Sequence, residues 1–193
     1  MTTAARGPLL PRARGWAWFP ACCMLAVTAL TADGSVNPAT SSIVATFTQQ
    51  HVAVDAAFSR FSGTIGYDAA RPDTTHAILS VDVASLDLGD ADTSAEVRKP
   101  AWFDSARYPQ ATFHSSAVKP GAAGHFDATG TLTIKGRVQI VTVSVSVLKV
   151  GGANAYDGSF ELSRKAFGIG DPTWDSVLDD TVRVKFHLLA AGA

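Results

Sequence analysis

The chain has 193 residues, enough for one domain with a sizeable core. Lys and Arg number 16 against 17 Asp and Glu, a formal net charge of −1 with no basic run. That balance excludes the footprint of a nucleic-acid binder, whose affinity rests on phosphate contacts, and it offers little to anionic lipid headgroups.

The first 32 residues are unlike the rest. "MTTAARGPLLPRAR" carries Arg6, Arg12 and Arg14 without an acid, and an apolar run then extends from Trp16 to Leu30. A basic segment followed by about 15 apolar residues falls short of the roughly 18 to 20 that a membrane-spanning helix needs. The pattern predicts a secretory signal peptide over 1–32, cleaved near Val27–Ala29 or Leu30–Ala32, with a retained N-terminal anchor as the alternative. Arg12 and Arg14 are not adjacent, so the general export route is expected, and with it a periplasmic or secreted location. Cys22 and Cys23 both lie in the leader. The remaining domain, 33–193, therefore has no cysteine, and its 13 basic and 17 acidic residues give −4.

From residue 41 onward the sequence reads as strands. The runs 41–49, 51–68 and 75–89 mix β-branched and aromatic residues with period-two alternation. The runs 110–118, 124–136, 139–150, 154–164 and 180–190 follow, divided by turn signals such as "KPGAAG" and "GGAN". In "IVTVSVSV", Val141, Val143, Val145 and Val147 fall on one face and Thr142, Ser144 and Ser146 on the other, as in a strand buried on one side. The single helix expected is 92–103, with Asp92 as N-cap and Pro100 near its end. Eight antiparallel strands in one all-β domain are compatible with a barrel or a sandwich.

Catalytic constellations are not found. His51, His76, His114, His125 and His187 have no short ligand spacing, so no metal is expected. "SAVK" (116–119) matches an SxxK pattern that works on a helix, but here it runs from a strand into Pro-Gly. "FGIGDP" is not a dinucleotide loop, and the aspartates sit mostly in turns, where they serve turn chemistry and solubility. No enzyme activity is expected.

What stands out is apolar. "WFDSARYPQATF" places Trp102, Phe103, Tyr108 and Phe113 beside a Pro-bearing loop. An eight-stranded barrel is just wide enough to fill with side chains or to hold one slim ligand. The residues alone leave both readings open.

The motifs resemble those of the YceI-like family of periplasmic proteins. "WFDSARYPQATF" is similar to the family's pattern through Trp102, Phe103, Asp104, Tyr108, Pro109, Thr112 and Phe113. "VDVASLDLGD" matches through Asp82, Ser85, Leu86, Asp87 and Gly89, and "GTLTIKG" through Gly130, Leu132, Thr133, Ile134, Lys135 and Gly136. The closing "SRKAFGIGDPTW" matches through Arg164, Phe167, Gly168, Ile169, Gly170 and Trp174, and resembles the subset associated with cytochrome b561 membrane domains. Three departures, Ala56, Ser94 and Pro172, are assigned to loops near one rim.

The resemblance implies a lipocalin-like antiparallel barrel of eight strands around a polyisoprenoid chain. The protein would then be a carrier or sensor without a cofactor, a quinone or polyprenol being its ligand. The alternative is a filled barrel serving as accessory module to a membrane cytochrome. Alternation within this frame assigns the tunnel to Phe47, Val54, Phe58, Phe61, Leu79 and Val81 in the first half of the chain. Phe113, Leu132, Ile134, Val143, Phe160 and Phe186 continue it in the second. Trp102, Phe103 and Tyr108 are expected at or under the mouth, and Phe167 and Trp174 join the ligand-binding set. At about 0.8 kcal/mol per buried CH₂, a five-carbon unit contributes roughly 3 to 4 kcal/mol before ordering costs. Selection among chain lengths is therefore expected from tunnel depth.

Overall fold

A computed structural model of the protein describes residues 33–191. The expected leader, with Cys22 and Cys23, lies outside the described residues. The described chain is all-β with one short helix, α1 (Ala91–Glu96). Its strands are β1 (Gly34–Ser35), β2 (Ser42–Gln49), β3 (Val52–Phe58), β4 (Phe61–Gly66), β5 (His76–Asp82) and β6 (Leu86–Asp87). After α1 come β7 (Gln110–Pro120), β8 (His125–Ile134), β9 (Arg137–Val150), β10 (Ala153–Ser163) and β11 (Leu178–Ala191). They form one curled antiparallel sheet in the order β1-β4-β5-β7-β8-β9-β10-β11-β2-β3-β6.

The expected count of eight strands is corrected to eleven. The run 51–68 breaks at Ser59–Arg60, where the Ser59 N–H donates to the Ser85 carbonyl and the Arg60 N–H to Ser85 Oγ. The consecutive strands β3 and β4 therefore fall near opposite ends of the sheet order. The run 75–89 breaks at a 3₁₀ turn, Val83–Ser85, capped by the Asp82 carboxylate accepting from the Ala84 N–H at 2.9 Å. This leaves β6 as a two-residue strand paired to Ala57 and Phe58 of β3. Gly34–Ser35 supplies the third additional strand.

Both edges of the sheet are thereby tied. At one end the segment 34–37 crosses from β4 to β11: β1 pairs with Thr64 and Ile65, Val36 bridges Ala190, and the Asn37 N–H donates to the Leu189 carbonyl. At the other end the β3–β4 corner and the β5–β6 connection run side by side. The β8–β9 hairpin turns at Lys135 and Gly136, with φ of 50° and 72°, the left-handed pair that a two-residue turn requires.

The helix differs from its expected span. Asp90, not Asp92, caps it, its carboxylate accepting from the Thr93 N–H at 2.8 Å. It ends at Glu96, after which the Arg98 and Lys99 N–H groups donate three residues back to Ala95 and Glu96 and Pro100 has no N–H to continue the ladder, and the chain proceeds through turns to Tyr108.

Candidate functional site

Inward residues recur at every second position of the long strands and surround a cavity of about 510 Å³. Aromatic rings from β2, β3, β7, β8, β10 and β11 form much of the wall, together with Val, Leu and Ile. Phe47, Phe58, Leu79, Val81, Phe113, Phe160 and Phe186 face inward yet are only half-buried, so part of their apolar surface is turned to the cavity rather than to protein.

Two features keep this space open. Alanines 45, 56, 77, 111 and 128 stand on the wall where larger side chains would fill it. In addition, rings occupy the space that glycines on neighbouring strands leave free. A Cβ built at Gly130 would meet the Phe113 ring at 2.6 Å, and one at Gly158 would meet the Phe186 ring at 2.4 Å. Without those Cβ atoms the rings rest against the sheet instead of standing in the lumen.

One end is closed. Val36, Ile65, Tyr156, Leu188 and Ala190 are buried there, and Tyr67 stacks on Phe126 and meets Tyr156 edge-on, each pair with centroids 6.1 Å apart. Burial pushes the Tyr156 phenol up to about 12, so it stays neutral. At the opposite end lie the exposed wall residues, Gln49, Thr93 and Trp174, and that is the mouth. Helix α1 crosses it, bringing Thr93 and Glu96 to the wall, and buried Ser94 ties the helix to the sheet by accepting from the Leu88 N–H at 3.1 Å.

The mouth is held by an ordered collar. Trp102 and Trp174 pack with centroids 5.9 Å apart. The Gly170 N–H donates to the Ala101 carbonyl at 3.0 Å, joining the two loops that carry the tryptophans. Gly170 has φ of 92°, and a Cβ there would lie 2.7 Å from Arg164 Nη1, so this position accepts only glycine comfortably. The Lys135 ammonium donates to the carbonyls of Pro100 and Gly168, each at 2.7 Å, and burial pulls its pKa below the usual lysine value.

Arg164 organises the collar from behind. Its side chain is 4% exposed and lies on the cavity wall. Nε donates to the Asp179 carbonyl, Nη1 to the Ile169 carbonyl, and Nη2 to both Asp175 Oδ1 and the Leu178 carbonyl, at 2.7–3.1 Å. Hydrogen bonds from Lys165 and Arg164 hold the Asp175 carboxyl below its ordinary value. With four of its five N–H donors committed to protein acceptors, Arg164 is an anchor for the loop 164–178 rather than an anion receptor.

Of the residues assigned to ligand binding from sequence, the cavity wall brings together Phe47, Phe58, Leu79, Val81, Trp102, Phe103, Phe113, Leu132, Ile134, Val143, Phe160, Trp174 and Phe186. Four lie elsewhere. Val54 keeps the inward register of β3 but sits beyond the cavity, opposite Phe47 towards the β2–β3 turn. Phe61 is buried in the main core, and Phe167 in the smaller cluster with Leu132, Ile134 and Ile169. Tyr108 packs outside on the β8–β9 turn, close to Gly136, with the Arg107 guanidinium 5.3 Å from its ring centroid. Ala56 is no loop residue: it is buried within β3, on the wall. Sequence reasoning matched Arg164 as a motif residue without giving it a role, and it assigned none of the five alanines, nor Thr75 or Ser115, to the wall. For Arg164 a signal existed in its place at the head of the matched motif, with Lys165 next to it and the apolar run 166–169 behind.

Comparison with known proteins agrees with this architecture. The pattern that describes the YceI-like domain matches residues 35–190. The Protein YceI of Escherichia coli O157:H7 is 27% identical over 136 residues, covering 69% of this chain and 71% of that protein. A UPF0312 protein of Azotobacter vinelandii is 30% identical over 118 residues, and the match spans 58% of this chain and 62% of the length of that relative. Among solved structures, Burkholderia cenocepacia BcnA superposes with a TM-score of 0.78 at 40% identity, covering 81% of this chain and 99% of BcnA. A polyisoprenoid binding domain from Saccharophagus degradans shares the fold, with a TM-score of 0.69 at 19% identity over 83% of this chain and 98% of that domain. With the curled sheet, the collared mouth and a match over nearly the whole described chain, this protein belongs to the YceI-like domain family.

Proposed function

We propose that the protein encloses one long, flexible and mainly apolar molecule, an isoprenoid or other long-chain lipid of the quinone or polyprenol kind. It acts as a carrier or sensor and performs no chemistry on its guest. The observation that carries this reading is the cavity itself: about 510 Å³, walled by apolar side chains and reached through a collared mouth. That size lies within the roughly 300–1,000 Å³ typical of small-molecule sites. The fold shared with a polyisoprenoid binding domain supports the same guest class. The basic-then-apolar segment 1–32 supports action in the periplasm or outside the cell.

The alternative, a filled barrel that serves a cytochrome b561-type membrane protein as an accessory module, needs an interior packed with side chains. An open cavity weighs against it.

Native mass spectrometry of the full chain, expressed with export and followed by organic extraction, tests the proposal. A discrete added mass that extracts as an isoprenoid, quinone or other long-chain lipid is expected. A bare polypeptide mass that also ignores added quinone would overturn the carrier reading in favour of the accessory module.

A further inference from the structure

The closed end of the cavity carries two hydroxyls whose placement the apolar wall does not explain. Thr75 continues the inward alternation of Ala77, Leu79 and Val81 of β5, and all four residues stand on the wall. It is 7% exposed, and its Oγ1 is buried with no hydrogen-bond partner among the described residues. Ser115 of β7 stands on the same wall against Ala77, two residues along β5 from Thr75, beside a bulge between Ser115 and Ala117 that shifts the register there. Its Oγ accepts from the Ala77 N–H at 2.8 Å, which leaves its own proton free to donate. A valine at 75 would keep the shape and avoid burying a hydroxyl that gains no bond in return.

Among the described residues no charged side chain stands on the wall at this end, and the neighbouring His76–Asp33 pair is exposed on the outside. The charged side chains of the wall, Glu96 and Arg164, belong to the mouth, and Arg164 is committed to four protein acceptors. A carboxylate or phosphate at the closed end would be buried without a counter-charge. A neutral oxygen suits it, because threonine and serine hydroxyls each donate and accept.

We infer that Thr75 and Ser115 form a seat for a neutral oxygen-bearing terminus, a hydroxyl or a carbonyl, so that the guest lies with its polar end innermost and its hydrocarbon towards the mouth. This rests on the proposal that a long-chain molecule fills the cavity.

The test uses the delipidated full-chain protein and three probes of equal length: 1-hexadecanol, hexadecane and hexadecanoate. Each displaces a fluorescent long-chain reporter, in wild type and in Thr75→Val. Wild type is expected to prefer hexadecanol over both others. Thr75→Val is expected to lose about tenfold in hexadecanol affinity, the worth of one buried hydrogen bond. It should keep its hexadecane affinity and be at least as thermostable when empty. Equal hexadecanol binding by Thr75→Val and wild type would overturn the seat. So would an equal loss for hexadecane, which would indicate packing alone. A hexadecanol preference that survives Thr75→Val but vanishes in Gln49→Leu would place the oxygen at the mouth, also against it. If wild type binds none of the three probes, the long-chain reading itself fails, a result distinct from failure of the seat alone.

Discussion

Trp102 and Trp174, carried by loops far apart in sequence, meet at the mouth with centroids 5.9 Å apart and ring planes inclined by 58°. Such a pair adds about 0.5–1.5 kcal/mol beyond its buried area. Here that energy holds two loops together across the rim. Trp174→Ala is therefore expected to cost about 1 kcal/mol in urea unfolding and to speed both uptake and release of a long-chain probe in stopped flow. Unchanged rates would show that the mouth does not control access.

Arg164 is expected to matter more for stability than any aromatic of the rim. Arg164→Met would leave the carbonyls of Ile169, Leu178 and Asp179 without their donor and Asp175 with Lys165 alone, a loss of about 3 kcal/mol from the unsatisfied acceptors. Arg164→Lys should fail nearly as badly, because one ammonium cannot reach acceptors arranged for a planar fork. Chemical denaturation of both variants checks this; a lysine variant as stable as wild type would contradict it.

Ala45 offers the most direct way to occlude the cavity. It lies on the wall in the middle of β2, and it is only partly buried by protein. Ala45→Phe should place a ring in the lumen, abolish retention of the guest in native mass spectrometry, and leave the melting temperature unchanged or raised. Undiminished loading in this variant would mean that the guest binds elsewhere.

Acid should loosen the collar before it unfolds the sheet. The Asp175 carboxyl is held below its ordinary value of 3.8 by hydrogen bonds from Lys165 and then Arg164. A depressed folded value contributes stability that is fully present above the unfolded value and is lost as pH falls through the folded one. Release of a long-chain probe should thus be flat from neutral pH down to about 4 and accelerate below it. In Asp175→Asn that acceleration should be absent. An acid limb of the same size in both proteins would assign it to other groups.

From residue 110 onward the fold was legible because each strand pairs with the next, so alternation and turn residues mark both ends. The missed strands lie where that locality fails. Ser59–Arg60 contains neither Gly nor Pro, yet the chain turns there because Ser85 supplies partners from a distant segment. The aromatic wall was legible for the same reason as the strands. Phe61 and Phe167 share the apolar character of the wall residues, and only their neighbours decide that they are packed core. Thr75 and the wall alanines carry no signal of their own, since an alanine means empty space only when the facing side chains are known.

The pairing of β2 with β11 has a consequence for how the molecule is made. The Leu189 N–H donates to Ser41 Oγ across 148 positions of sequence, and β2, paired early with β3, finds its second ladder partner only in the final strand. Contacts so remote slow folding, because the loop-closure entropy is spent before the pairing rewards it. Until β11 arrives, β2 and β10 each present a bare edge, the kind of surface that recruits other chains. Emergence of the last strand therefore sets the moment at which the two parts of the sheet join. Chains released after residue 178 should aggregate rather than hold an empty cup, which light scattering of such truncations would reveal.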